Sequence, residues 1–180
     1  LITCLLPDLR EYQITLLDYD LVTERNLNIQ PYFSDQIDLP KTQVLQYNLY
    51  KAYSKEVTII TEKLTNNNFD ELLLPFTEGL IIDTFDNYEA RLLVHDAVRR
   101  RHINCLHIGF SQDMTFSIEW EPNYTVPTNF KTDFDICTLP GASSFVRMVA
   151  SLGSLVVQEF ITSGSKLEYI GNKYSIREVK

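Results

Sequence analysis

Two carboxylates, Asp18 and Asp20, close the apolar run Ile14–Asp18 in the segment ITLLDYDLVTERNLNIQ, and a polar turn with Asn26, Asn28 and Gln30 follows. In α/β nucleotide-binding sheets, an acidic residue at the carboxyl end of a strand is placed to take ribose hydroxyls. An Asp in that position also caps its own turn through the side chain. Both readings stand on these residues alone. Lys41 follows Pro40 at the start of a helical pattern, where a lysine is ordinarily a surface residue. Asp86 and Asn87 follow another apolar run and are residues favoured at a helix N-cap. Arg91, four residues after Asn87, shares its helix face and suits either an ion pair or a phosphate. His95, His102 and His107 do not fall at ligand spacing on one face and read as ordinary surface or core histidines.

Elements must position these groups, and 180 residues suffice for one domain with a sizeable core. A net charge of −8 argues against a nucleic acid held by its phosphates. It leaves room for a nucleotide, which needs only a few local cations and backbone N–H groups. Apolar stretches look shorter than the roughly 20 residues that span a bilayer, so no membrane partner is expected. Cys4, Cys105 and Cys137 are odd in number and widely spaced, which suits a reducing compartment and a cytoplasmic location.

Along the chain, Leu1–Leu9 reads as the end of a helix already under way. Ile14–Asp18, Val57–Thr61, Leu80–Thr84, Cys105–Phe110 and Met114–Trp120 read as strands, with Leu80–Thr84 buried on both faces. Met114–Trp120 alternates Phe116, Ile118 and Trp120, as an edge or hairpin strand would. Helices are expected from Pro40 to about Tyr53 with Leu45, Leu49 and Ala52 on one stripe, over Phe69–Leu74, and over Asn87–Arg101. In the last of these, Ala90, Val94, Ala97 and Val98 would face the sheet. Glu121–Asp135 is a polar crossing loop, Phe145–Thr162 a long apolar helix, and Lys166–Val179 a hairpin turning at Gly171–Asn172. Strands alternating with helices predict an α/β fold with a parallel sheet.

In order, D-Y-D-L-V, N-L-N-I-Q, the Pro40–Lys41 pair and D-T-F-D-N-Y-E-A-R at Asp83–Arg91 resemble the ThiF/MoeB family of adenylyltransferases. Cys137–Thr138 followed by S-L-G-S-L-V-V-Q-E-F-I at Ser151–Ile161 resembles that family's closing helix. The resemblance implies a Rossmann-like, mostly parallel sheet flanked by helices, with a C-terminal antiparallel extension. It implies ATP and magnesium as cofactors. The reaction would be adenylation of the C-terminal carboxylate of a ubiquitin-like protein, sulfur carrier or peptide, by a homodimer or heterodimer. Carried over by position, Asp18 would bind the ribose, with Asp20, Arg25 and Gln30 around the nucleotide. Asn26 would meet the phosphate side, Lys41 the α- and β-phosphates, and Asp86 the magnesium with Asn87 beside it. Cys137 matches a position where several members keep a thiol that can take the acyl group, although an inert cysteine is the favoured reading of it.

The chain departs from the family pattern in three places. Ile29 stands where the family has an arginine on the terminal phosphates, and a fork-shaped phosphate contact is lost with it. The family's first strand and glycine-rich loop would precede Leu1, so the expectation is a single adenylation domain over residues 1–180, incomplete at its N-terminus. The family's structural zinc, held by two C-x-x-C pairs, has no counterpart where Glu121–Val126 reads E-P-N-Y-T-V, and no zinc is expected. A catalytically impaired scaffold subunit is therefore the alternative to an active enzyme. A dinucleotide-dependent oxidoreductase, the third class, has only Asp18 in its favour.

Overall fold

The computed structural model describes residues 2–5, 11–76, 78–111, 113–128 and 139–179. The chain divides into two compact units, Leu1–Lys63 with Cys137–Gln158, and Leu64–Ile136 with Glu159–Lys180. The fold is α/β, with parallel strand pairs, helices, and an antiparallel C-terminal extension.

In the first unit, the short helix α1 (Ile2–Leu5) precedes β1 (Thr15–Leu17), which pairs in parallel with β2 (Thr58–Ile60). Between them runs α2 (Lys41–Tyr53), which ends at Ser54 in the left-handed region, φ 53°. Leu49 and Val57 form a buried cluster with Ile2, Ile14, Leu16, Leu45, Tyr53 and Ile59 packed around it. Polar side chains also fix α2: Thr42 Oγ1 lies 2.7 Å from Thr61 Oγ1, and Gln46 Nε2 donates to the Val57 carbonyl at 2.7 Å. The expected apolar stripe was thus partly wrong. Ala52 is exposed, and Thr42 and Val44 are buried in its stead, because the helix docks through hydrogen bonds near its start.

In the second unit, α3 (Phe69–Leu73) leads into β3 (Leu80–Asp83), α4 (Tyr88–Arg101), β4 (Asn104–Phe110) and β5 (Thr115–Trp120). After α5 (Ala142–Ser163), which begins in the first unit, come β6 (Tyr169–Asn172) and β7 (Ser175–Glu178). The sheet order is β3-β4-β5-β6-β7, parallel only between β3 and β4. In α4, Asn87 is the N-cap and Arg99, Arg100 and Arg101 occupy the last turn, where cations oppose the negative end of the helix dipole. Ala90, Val94, Ala97 and Val98 are buried as expected.

Four expectations need correction. β5 alternates as foreseen, with Phe116, Ile118 and Trp120 inward, but it is hydrogen-bonded on both sides and so lies inside the sheet. β3 is half-buried over Leu80–Ile82, and only Asp83 is fully buried. The last hairpin turns at Lys173–Tyr174, where the Asn172 side chain accepts from the Tyr174 and Ser175 N–H groups, so the asparagine starts the turn from the strand end. Finally, α5 is long and apolar enough to cross a membrane by length and composition. Its exposed line, however, runs Ser144, Arg147, Ser151, Leu155, Glu159 and Thr162, polar but for one residue, as on a helix packed along its other faces.

Candidate functional site

The first unit gathers a carboxylate–lysine cluster at the carboxyl end of its parallel pair. The Asp18 N–H donates to the Ile60 carbonyl at 3.2 Å, one step beyond the β1–β2 register, so Asp18 stands at the strand end. Its Oδ1 accepts from the Asp20 N–H at 2.9 Å, so it caps its own turn as well. Asp20 then holds Lys41 twice. Its Oδ2 lies 2.7 Å from Nζ, and its carbonyl accepts from the Lys41 N–H at 2.9 Å. Nearby, the Tyr32 hydroxyl is pushed well above the ordinary tyrosine range, first by burial and then by the charges of Asp18 and Asp20.

Lys41 is the first residue of α2, where the helix dipole is positive and a cation is disfavoured. The Asp20 carboxylate offsets that, and so would a phosphate group. The Lys41 side chain is 13% exposed, against 45% for Asp20, so the ammonium is held against the protein rather than free in solvent. An anion arriving here would meet Lys41 and the positive end of the helix dipole together.

The other positions around the proposed nucleotide lie on the 3-10 turn Glu24–Asn28 and just beyond it. Asn26 Oδ1 accepts from the Thr23 N–H and hydroxyl at 2.9 and 3.0 Å, so it shapes the turn. Arg25 is exposed, and Gln30 is half-buried with its N–H on the Asn26 carbonyl at 2.8 Å. Ile29 is 8% exposed, so the residue at the family's arginine position turns into the protein.

In the second unit, Asp86 is exposed in the short link between β3 and α4. Asn87 accepts from the Ala90 N–H at 2.9 Å as a true N-cap. An exposed carboxylate oxygen is a suitable hard ligand for magnesium, which takes one or two carboxylates beside substrate phosphates. Cys137 lies outside the described residues. Cys105 is buried, and burial, Asp83 and Glu121 in that order push its thiol up, which makes it an unreactive thiol.

Beneath the Asp86 link lies a buried network that the sequence reading did not anticipate. Asp83 accepts from the Phe85 N–H at 2.9 Å, and its Oδ2 lies 3.3 Å from Arg91 and 2.7 Å from His107 Nδ1. Arg91 also donates to the Tyr124 hydroxyl at 3.1 Å and to the Ile108 carbonyl at 2.7 Å. Gly109 permits this crossing, since a Cβ there would sit 3.1 Å from the guanidinium. Arg91 is therefore a structural ion pair. Two of the histidines, read as surface or core residues, join this network. His107 Nε2 and His95 Nδ1 both meet Glu121 Oε1, at 3.0 and 2.6 Å, and Tyr124 stacks on the His107 ring at 3.8 Å. Arg91, His95 and Arg99 follow at four-residue spacing on α4, which is the one signal the sequence carried.

The profile of the ThiF family matches residues 12–178. Ubiquitin-like modifier-activating enzyme 5 of Drosophila ananassae is 29% identical over 113 residues, and that of Arabidopsis thaliana 28% over 120. Each match covers 56% of this chain and 28% or 27% of the relative, so the chain spans little more than a quarter of their length. Among solved structures, E. coli MccB with AMPCPP and MccA superposes with a TM-score of 0.73 at 18% identity, over 93% of this chain and 56% of that one. MccB with ATP gives 0.71 at 19%, over 93% and 55%, a likeness of fold.

Proposed function

The chain belongs to the ThiF family, and from that premise we propose that the protein binds ATP and adenylates a C-terminal carboxylate. A carboxylate oxygen attacks the α-phosphorus, the bond to the β-phosphate bridge breaks, and an acyl-adenylate and pyrophosphate result. The substrate is a ubiquitin-like protein, sulfur carrier or peptide. Relatives named as ubiquitin-like modifier-activating enzymes support the first, and MccB structures holding ATP or AMPCPP support the nucleotide. A homodimer or heterodimer in the cytoplasm is part of the same reading.

One observation carries it: Asp18, Asp20 and Lys41 meet at the carboxyl end of a parallel pair, with the lysine on a helix N-terminus. Asp18 takes the ribose hydroxyls. Lys41 exchanges Asp20 for the α- and β-phosphates and stabilises the charge that builds there as pyrophosphate leaves. Asn26 keeps the turn beside the phosphates in shape, with Arg25 and Gln30 on its flanks. Asp86 would hold magnesium with Asn87 beside it, and the metal would neutralise phosphate charge. Cys137 would accept the acyl group only after the adenylate forms, its sulfur bonding the acyl carbon as AMP leaves.

The test is ATP–pyrophosphate exchange in the full-length protein given a partner with a free C-terminal carboxylate. Lys41→Ala should lower exchange by about 100-fold or more while changing ATP affinity less. Equal exchange in the variant overturns the assignment. The second reading, a catalytically impaired scaffold subunit, is favoured by the inward Ile29. Absence of exchange with every carboxylate partner, in a protein that still assembles, would select it.

A further inference from the structure

We propose that His95, His107 and Glu121 form a binding site for one divalent transition-metal ion of the zinc class, distinct from the family's cysteine-held zinc. The donor atoms, one from each residue, lie within 4.8 Å of one another. Zinc–nitrogen and zinc–oxygen bonds of about 2.0–2.2 Å place tetrahedral neighbours about 3.3–3.6 Å apart. The separations to Glu121 Oε1, 2.6 Å from His95 Nδ1 and 3.0 Å from His107 Nε2, need to open by well under an ångström on average.

The hydrogen bonding itself asks for a cation. A neutral imidazole has one N–H and one lone pair. His107 presents Nδ1 to the Asp83 carboxylate and Nε2 to the Glu121 carboxylate, so one lone pair would oppose an anionic oxygen. His95 Nδ1 addresses the same Glu121 oxygen. An ion among the three resolves all of this at once. His107 would keep Nδ1–H on Asp83 and bind metal through Nε2, His95 would bind through Nδ1, and Glu121 through its carboxylate.

The surroundings fit. A metal-bound histidine commonly gives its other N–H to a carboxylate, which fixes the tautomer and ring direction. Asp83 is that carboxylate, and Arg91 and the Phe85 N–H hold it in turn. Glu121 Oε2 is buried without a hydrogen-bond partner among the described residues. Arg99 stands opposite it, with Nε 4.0 Å from that oxygen on a side chain 49% exposed, able to swing to solvent. His107 is fully buried and His95 is 14% exposed, so an ion would enter past His95. Two histidines and a glutamate leave a fourth position for water. The ion would tie α4, β4 and the segment after β5 together beneath the Asp86 link.

The experiment strips the full-length protein with a chelator, desalts it, and titrates zinc and cobalt(II) separately. Expected are one equivalent of zinc and visible cobalt d–d absorption of four- or five-coordinate character. His95→Gln, chosen because His95 lies on a helix with its ring partly exposed, should weaken zinc binding by about 100-fold or more. Its circular dichroism in chelator should match the parent. Wild-type protein that takes up no stoichiometric zinc and gives only octahedral cobalt absorption overturns the proposal. Unchanged zinc affinity in folded His95→Gln overturns it as well.

Discussion

Replacing Arg91 with methionine tests whether this arginine belongs to the fold or to the nucleotide. Asp83 is 2% exposed and Arg91 5%, so the pair has little water to fall back on. Removing one partner of a buried pair costs about 3–5 kcal/mol, because the remaining charge is stranded. Asp83 would keep the Phe85 N–H and His107, which points to the lower end of that range, while the Ile108 carbonyl and Tyr124 hydroxyl lose a donor. A loss of about 3 kcal/mol is a large share of the roughly 5–15 kcal/mol that folded proteins have. The assay is urea unfolding of the full-length protein. With a slope of about 1–3 kcal/mol per molar, the midpoint should fall by about 1–3 M at unchanged slope. Arg91→Met combined with Asp83→Asn should recover part of the loss, since no stranded charge remains. A loss below about 1 kcal/mol together with weakened ATP binding would refute the reasoning and place Arg91 at the phosphates.

Two further outcomes follow from the geometry. Ile29→Arg should destabilise the first unit by about 1–3 kcal/mol, since it buries a polar group, and should leave ATP affinity unchanged in calorimetry. Tighter ATP binding at an unshifted melting temperature would instead place residue 29 at the phosphates. Hydrogen bonds from the Ser111 and Thr115 hydroxyls hold the Asp113 carboxyl below its ordinary range. Its small stabilisation is therefore present above the ordinary carboxylate pKa and disappears as pH falls through the lowered value. Melting temperatures followed into acid should fall less steeply for Asp113→Asn, and identical slopes would count against the hydroxyl contacts.

Local patterns were legible because short-range physics makes them. Asp18 at a strand end, Lys41 opening a helix, Asn87 as N-cap and the buried face Ala90, Val94, Ala97 and Val98 all depend on neighbours within a few residues. The resemblance to the ThiF family rests on the same local blocks, in order. Tertiary structure decided the rest. Strand pairing on both sides placed β5 inside the sheet, and a docked turn faced Ile29 inward. The parallel register that sets Asp83 beside His107, and the antiparallel register that sets Leu106 beside Trp120, brought His107 between two carboxylates. Those partners lie 24 and 14 residues away along the chain. No periodicity in a sequence encodes such a meeting, because backbone pairing between separate strands sets the distance, and that exists only once the sheet has formed.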